Sequence, residues 1–587
     1  MRENHDSTPW GIDTPRALQD DIAGMREALT QFRNGAMSGE EFRRYRLHRG
    51  IYGQRADQAD FCMVRVKVPY GELTAHQLGR LGEIAGEFAD GLAHITTRQD
   101  IQFHWVRLDV IPEVMERLAE AGMTTREACG NTVRNIVGSP LAGVDPHEAF
   151  DVTPYARTLA RHLLRNPLNQ QLPRKFKISF SGSSDERDGI VPWIHDIGFV
   201  ATMKEIRGEE RKGFAAYAGG GLGAQPRVAE LFEEFMPVEY LIPTTEALLK
   251  VFNELGNRQN RNKARMKYVV WKLGSSEFQR RVFEERDRII AEGFPLNAVD
   301  ASADSPGESG RDADVPGGAG GFRDWFATNT VRQKQRGFHA VYVNPVIGDV
   351  TAAQLLFLAH ITRRYARGFV RTTPQQDLLL RWVPTTDLPD LHRELETAGL
   401  GQSGARDIAN VTACPGADTC NLGITHSRAL GGELTRLFHD HPEWAGLLRD
   451  LRVKISGCPN SCGQHHVASI GLHGATKHAP GGQIPSYLLT LGGGLNTGRS
   501  AFGETIGRLP ARRVTEGIVR ILKQFLSDRR EGEVFPDYID RVGARSFRFL
   551  IADLTEIPAG HGSADLLVDL GESTQFQSTT GEGECAS

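Results

Sequence analysis

Four of the chain's seven cysteines fall between positions 414 and 462, in two short stretches rich in Pro, Gly and Asn. ACPGADTCNLG gives Cys414-x5-Cys420, and GCPNSCG gives Cys458-x3-Cys462. Four thiolates on two loops can hold the four irons of a [4Fe-4S] cube, one to each iron. The turn residues between them let backbone N–H groups face the sulfurs. Zinc is the chief competitor, but structural zinc sites favour pairs with about two to four intervening residues, which the x5 spacing exceeds. Thiol redox chemistry is weaker still, because neither pair has the C-x-x-C form. His465 and His466 follow at once, and they read as donors behind a metal loop or as surface residues rather than as ligands.

A second set of residues is cationic. Arg98 stands in TTRQD, Arg134 in NTVRNIVG, and Arg174, Lys175 and Lys177 in LPRKFKIS. On a strand Lys175 and Lys177 share a face, because side chains alternate. Two ammonium groups on one face repel unless solvent or an anion lies between them. Phe176, Ile178 and Phe180 make the rest of that strand apolar, which favours an anion site over a solvated edge. GGGLGAQPR, from Gly219, brings Gly-rich backbone close to Arg227. It lacks the Lys-Ser/Thr of a P-loop and the GxGxxG spacing. NRNKARMKYVVWKLG, from Asn260, places Arg261, Arg265 and Lys267 near an expected helix, where a solvated cationic face is the simpler reading. No flavin or nicotinamide signature is visible, so reducing equivalents are expected from another protein.

The elements that must position these groups repeat. GELTAHQL from Gly71 matches GDVTAAQL from Gly348, an offset of 277. The same offset relates ITTRQDIQFHWV to RTTPQQDLLLRWV, with Asp100 opposite Asp377, and RKFKIS to LRVKIS, with Lys177 opposite Lys454. Three matches in one order at one spacing mean two homologous halves related by a pseudo-twofold axis. Each half reads as a strand, an apolar-periodic helix from Thr74 or Thr351, a Thr-Thr turn and a second strand. That pattern predicts an α+β fold with a ferredoxin-like half-domain and a larger α+β domain in each half. An axis between the halves would let the cation strand and the cysteine loop converge on one cavity.

At 587 residues the chain needs several domains. The reading is an N-terminal extension over 1–60, half-domains over 61–128 and 323–400, and larger domains over 129–299 and 401–558. A flexible linker is expected over 300–322 and a disordered tail over 559–587, with Cys585 idle in it. Hydrophobic and charged residues make up 40% and 24%, ordinary for a globular protein, and the net charge of −4 offers no field for nucleic acid. The N-terminus lacks a signal-peptide core and no apolar run is long enough to span a membrane, so a cytoplasmic protein is expected. The odd cysteine count argues against a disulfide framework, and Cys62 and Cys129 read as buried small hydrophobes.

Taken jointly, the cysteine set, TTRQ, the RN after a Gly-Asn turn, LPRKFK, GGGLG and NRNKARMKY resemble the sirohaem-containing sulfite and nitrite reductases, from about position 40 to 555. The resemblance implies a three-domain architecture and a sirohaem bridged to a [4Fe-4S] cluster through Cys462, with Cys414, Cys420 and Cys458 on the other irons. It implies that Arg98, Arg134, Lys175 and Lys177 surround the substrate oxyanion. Arg174, Arg261, Arg265, Lys267 and Asn460 are the implied partners of the sirohaem carboxylates. Lys177 and QFHW resemble the sulfite branch, since ferredoxin-type nitrite reductases tend to carry Asn at the second basic position. The implied activity is assimilatory reduction of sulfite to sulfide by a monomer reduced by ferredoxin. Nitrite reduction is the nearest rival, ahead of a cobalamin-pathway oxygenase of the same fold or a non-catalytic Fe–S or zinc scaffold.

Overall fold

The computed structural model describes residues 13–55, 60–184, 189–296, 321–444, 447–448, 451–496, 499–557, 561–578 and 581. Its two half-domains interlock. The first sheet runs Ile51–Gly53, Phe61–Val66, Ile101–Arg107, Leu92–Ile95 and Asp349–Thr351, in that spatial order. The second runs Thr330–Arg332, Phe338–Val343, Leu378–Pro384, Phe369–Thr372 and Glu72–Thr74. Each half therefore lends its short strand to the edge of the other's sheet. Thr74 and Thr351 then cap the helices Ala75–Phe88 and Ala352–Tyr365, each in a reciprocal capping box with the Gln three residues on. The two helices pack against each other, with Gly82 against Ala352 and Leu355.

The exchange depends on a strained turn. Tyr70 and Ile347 adopt φ of 45° and 51°, each followed by a glycine with φ near 76° (Gly71 at 75°, Gly348 at 77°). A Cβ on Gly71 would meet the Thr372 carbonyl, and one on Gly348 would meet Ile95 and Gln376. Two buried glutamines lock the halves across the axis. Gln99 donates to the carbonyls of Thr372 at 2.8 Å and Gly138 at 3.0 Å. Its counterpart Gln376 donates to Ile95 O at 2.8 Å and accepts from Ala413 N–H at 2.8 Å.

The lent strand carries a buried charge. Glu72 accepts from Arg371 at 2.9 Å and Arg381 at 3.0 Å, with Arg157 at 3.5 Å. Burial pushes its carboxyl up, but Arg371 and Arg381 outweigh that and hold it below its ordinary value. Glu72→Leu leaves these guanidiniums facing an apolar group, and loss of about 3–5 kcal/mol is expected in a denaturant titration near neutral pH. Because the folded carboxyl titrates low, that loss should shrink as the pH falls through its folded value.

The larger domains share one topology. Val137–Gly138, Ile178–Ser181 and Ile197–Ile206 are parallel neighbours, followed by antiparallel Glu209–Ala218 and Glu230–Pro237. Thr412–Ala413, Val453–Ser456 and Ile470–Ala479 repeat the parallel set, followed by antiparallel Gly482–Leu491 and Glu504–Pro510. Each sheet has its own apolar core.

Several sequence expectations change here. Lys175 and Lys177 do not lie inside a strand, which begins only at Ile178. Lys177 gives its N–H to the Asp196 carboxylate at 2.8 Å instead of to a neighbouring strand, while its carbonyl accepts from Ile197 N–H at 3.2 Å and Phe176 bridges to Val133. The tail is not wholly structureless: Leu566, Leu570 and Phe576 are buried, and Asp569 accepts from His426 N–H at 3.0 Å. Apolar side chains spaced along an otherwise polar segment gave it something to bury. Cys585 lies outside the described residues, as do positions 300–320 of the linker; Phe322 already opens the helix Phe322–Asn329 and is buried. The N-terminal extension forms helices Pro15–Arg33 and Gly39–Leu47 that join the first half-domain's core, and its Ile51–Gly53 is that domain's edge strand. Among the described residues no helix is long and apolar enough to cross a membrane.

Candidate functional site

Cys414 and Cys458 stand just beyond two adjacent parallel strands, so their loops leave the sheet side by side. The loops are knit backbone to backbone, since Gly457 O accepts from Ile424 N–H at 2.8 Å and from Thr425 N–H at 3.2 Å, and the first loop is closed on itself by Ala417 N–H to Thr425 O at 2.9 Å. A Cβ on Gly457 would strike Gly416, which explains a glycine beside Cys458. Backbone donors reach the cysteine sulfurs. Gly457 N–H lies 3.2 Å from Cys414 Sγ, Asn460 N–H serves Cys458, and the N–H groups of Leu422 and Gly423 serve Cys420.

The four thiols act on one another. Burial, then Cys462, pushes the Cys414 thiol up to about 12. The same two causes raise Cys458 and Cys420. Thiols that oppose each other's ionisation form a donor set that a cationic cluster relieves. Cys458 is buried and Cys414 half-buried, while Cys420 and Cys462 are exposed. Among the described residues no group of three or more His, Cys, Asp or Glu is placed to hold a single metal ion.

The cation half meets the cysteine half directly. Thr97 Oγ1 donates to Cys462 O at 2.8 Å, and Gln464 Nε2 reaches back to Thr97 O at 3.4 Å. Gln464, in the left-handed region at φ 64°, accepts at its Oε1 from Lys454 Nζ at 2.9 Å. Lys454, the repeat counterpart of Lys177, is thus spent on holding the loop. Thr97 fixes the register of Arg98 against Cys462, and Thr97→Val should lower kcat about fivefold, the worth of one neutral hydrogen bond. Thr97→Ser should retain wild-type kcat in the same steady-state assay.

Around that contact the positive charge is dense. Lys177 lies well below its ordinary value, first through burial and then through Arg98, Lys175 and Arg265, with Cys462 acting in the opposite sense. Burial brings Arg98 down to about 10; Asp100 opposes the fall and Arg134 adds to it. Arg98 also donates to Asn135 O. Such a group of cations raises the local affinity for an anion and makes each proton easier to give away.

Of the expected site residues, Arg98, Lys175, Arg265 and Cys462 are brought within electrostatic reach of Lys177. Arg134 is buried and donates to the carbonyls of Gly130 at 3.0 Å and Ala128 at 3.1 Å. Arg265 pairs with Asp196 at 2.7 Å. Lys267 does not lie on a solvated helix face: it is buried, donates to the carbonyls of Gly221, Leu222 and Gln225 at 3.3, 3.1 and 2.6 Å, and falls to about 8 through burial. It therefore braces the Gly-rich loop. Arg174 donates to Asn131 Oδ1 at 3.3 Å, Arg261 sits in the turn Arg261–Lys263, and Asn460 is exposed at the tip of the Cys458 loop. His465 is buried rather than on the surface, stacked on His473 at 4.6 Å, and burial drops it to about 2. Thr97, Asp196 and Gln464 escaped the sequence reading, since none belongs to a cysteine or cation pattern.

The comparisons with known proteins agree with this layout. The model for the nitrite and sulphite reductase 4Fe-4S domain matches residues 129–289 and 404–557. The model for the nitrite/sulfite reductase ferredoxin-like half domain matches 54–121 and 331–398, which again stand 277 apart. An assimilatory ferredoxin-dependent nitrite reductase of Haloferax mediterranei is 31% identical over 84% of each chain. A sulfite reductase [ferredoxin] of Mycolicibacterium paratuberculosis is 30% identical over 84% of each. The solved structure of the Mycobacterium tuberculosis NirA protein superposes with a TM-score of 0.75 at 27% identity, covering 91% of this chain and 96% of that one. In sequence, in repeat and in fold, the chain belongs to the nitrite and sulfite reductase family of oxidoreductases, whose cofactors are sirohaem and a [4Fe-4S] cluster.

Proposed function

We propose that the chain is a ferredoxin-dependent assimilatory sulfite reductase. Each sulfite takes six electrons and seven protons, and hydrosulfide and three waters leave. Sirohaem and the cluster supply the electron transfer and the metal on which sulfur–oxygen bonds break. The protein's part is to hold them, to bind the anion and to deliver protons. Cys414, Cys420 and Cys458 would hold the cluster, and Cys462 would serve both the cluster and the sirohaem. Arg98, Arg134, Lys175 and Lys177 face the oxyanion. Arg174, Arg261, Arg265, Lys267 and Asn460 serve the sirohaem carboxylates, Arg265 through a guanidinium also bound to Asp196 and Lys267 by bracing the Gly-rich loop.

The observation that carries the choice of sulfite is the crowding of Lys177 by Arg98, Lys175 and Arg265. A doubly charged anion relieves that repulsion more than singly charged nitrite does. The depressed Lys177 also gives up its proton more readily than a free lysine. Relatives named for either substrate stand at about equal identity, so the charge of the site rather than kinship supports the reading. The test is kcat/KM on both anions with one reduced ferredoxin. A higher value for sulfite, with sulfide released, is expected; a higher value for nitrite would reverse the assignment.

A further inference from the structure

Arg134 is held by its own loop, and that loop is closed by a residue without a role so far. The guanidinium donates to the carbonyls of Gly130 and Ala128, so its direction is set by the path of residues 128–134. On one side this path is bridged to the lead-in of Lys177. Phe176 N–H donates to Thr132 O at 3.0 Å, and Arg134 N–H donates to Phe176 O at 2.9 Å. A parallel bridge of this kind turns Val133 N–H away from Phe176, and the side-chain Oδ1 of Asn169 accepts it there. Asn169 is fully buried at the end of the turn Pro167–Asn169. Its Nδ2 donates to Glu127 Oε2 at 2.9 Å and to Leu163 O at 3.1 Å. Glu127 is itself buried, in the left-handed region at φ 58°. Its carboxylate also accepts from Arg165 N–H at 2.9 Å and Gln170 Nε2 at 2.7 Å, with Lys67 Nζ at 3.8 Å. One amide thus joins the residue that opens the loop to the residue just before Arg134.

We propose that Asn169 is a positioning residue of the oxyanion site, its amide clamping Val133 to Glu127 across the base of the loop and so aiming the Arg134 guanidinium at the bound anion. The inference rests on the role proposed above for Arg134. An arginine on an open loop must be ordered each time an anion binds, whereas one on a loop closed by buried hydrogen bonds is ordered beforehand. An amide answers both ends at once, since its oxygen accepts from Val133 and its nitrogen donates to Glu127. An apolar side chain would leave the Val133 N–H and one Glu127 oxygen without these buried partners, and the loop would be free to move.

The test is a double-mutant cycle of Asn169→Leu and Arg134→Ala, read by optical titration of the purified holoenzyme with sulfite or nitrite, whichever wild type reduces faster. Asn169→Leu alone should weaken binding of that anion about tenfold, and on the Arg134→Ala background it should cost less than about twofold more. The affinity of the reduced protein for carbon monoxide, a neutral ligand of the haem iron, should stay within about twofold of wild type, because no anion is there for Arg134 to meet. Should Leu cost the protein its cofactors, Asn169→Asp takes its place, since it keeps an acceptor for Val133 but sets a carboxylate against Glu127. Anion binding within twofold of wild type would overturn the proposal, and so would an equal loss on the Arg134→Ala background or an equal loss for carbon monoxide. Loss of the cofactors in both variants would mark Asn169 as structural and overturn it too. A wild-type protein that reduces neither anion would instead sink the function assigned above.

Discussion

Cys462→Ser should take reductase activity to background and remove the spectral signature of a haem coupled to a cluster. A serine hydroxyl holds its proton far more tightly than a thiol and is a harder donor, so it replaces a shared thiolate poorly. The loop itself should survive, because the Cys462 contribution to folding visible here is its backbone carbonyl, which accepts from Thr97 and is untouched by the substitution. Cys458→Ser is the informative control. Cys458 is buried among the loop donors on the sheet side, so its loss should disturb the cluster and its iron content while haem absorption persists. Iron analysis and the visible spectrum of both variants check this. A Cys462→Ser protein with the native spectrum and sulfite turnover would show that the bridge lies elsewhere.

Lys177→Asn should lower kcat/KM for sulfite by about a hundredfold to a thousandfold, the usual loss for one preorganised oxyanion donor, and that for nitrite by about tenfold to thirtyfold. The asymmetry follows from charge. Removing one of several crowded cations weakens attraction to a dianion about twice as much as to a monoanion, and relieves the repulsion on Arg98 and Lys175. The backbone N–H to Asp196 remains, so the strand lead-in should hold its place. Parallel steady-state assays on both anions decide the matter, and equal losses would remove the ground for choosing sulfite.

Much of this architecture was legible in the sequence because it is written in local chemistry. Cysteines in turn-rich loops, cations on an otherwise apolar segment and a 277-residue repeat each carry their meaning in residue type and spacing. The exchanged strands were not legible. GEL and GDV read as continuous with the elements around them, and only the turn at Tyr70 and Ile347 sends each to the opposite sheet. The burial of Lys267 was not legible, because the three carbonyls that hold it come from a loop some forty residues away. Gln464 shows the same limit from another side. A single glutamine has no pattern in one sequence, and it gains its role from what the fold sets beside it. The tail was misjudged by composition, since Leu566, Leu570 and Phe576 are enough to fasten it.

The central claim is that both halves build one centre, with cofactors anchored at Cys462 and an oxyanion held by Lys177 and its neighbours. The most direct measurement is an optical titration of the purified oxidised protein with sulfite. The account predicts a Soret band and a red-region band that both shift saturably as sulfite binds, with the shift weakened in Lys177→Asn. A protein without those bands, or with bands that sulfite leaves unmoved, would contradict it.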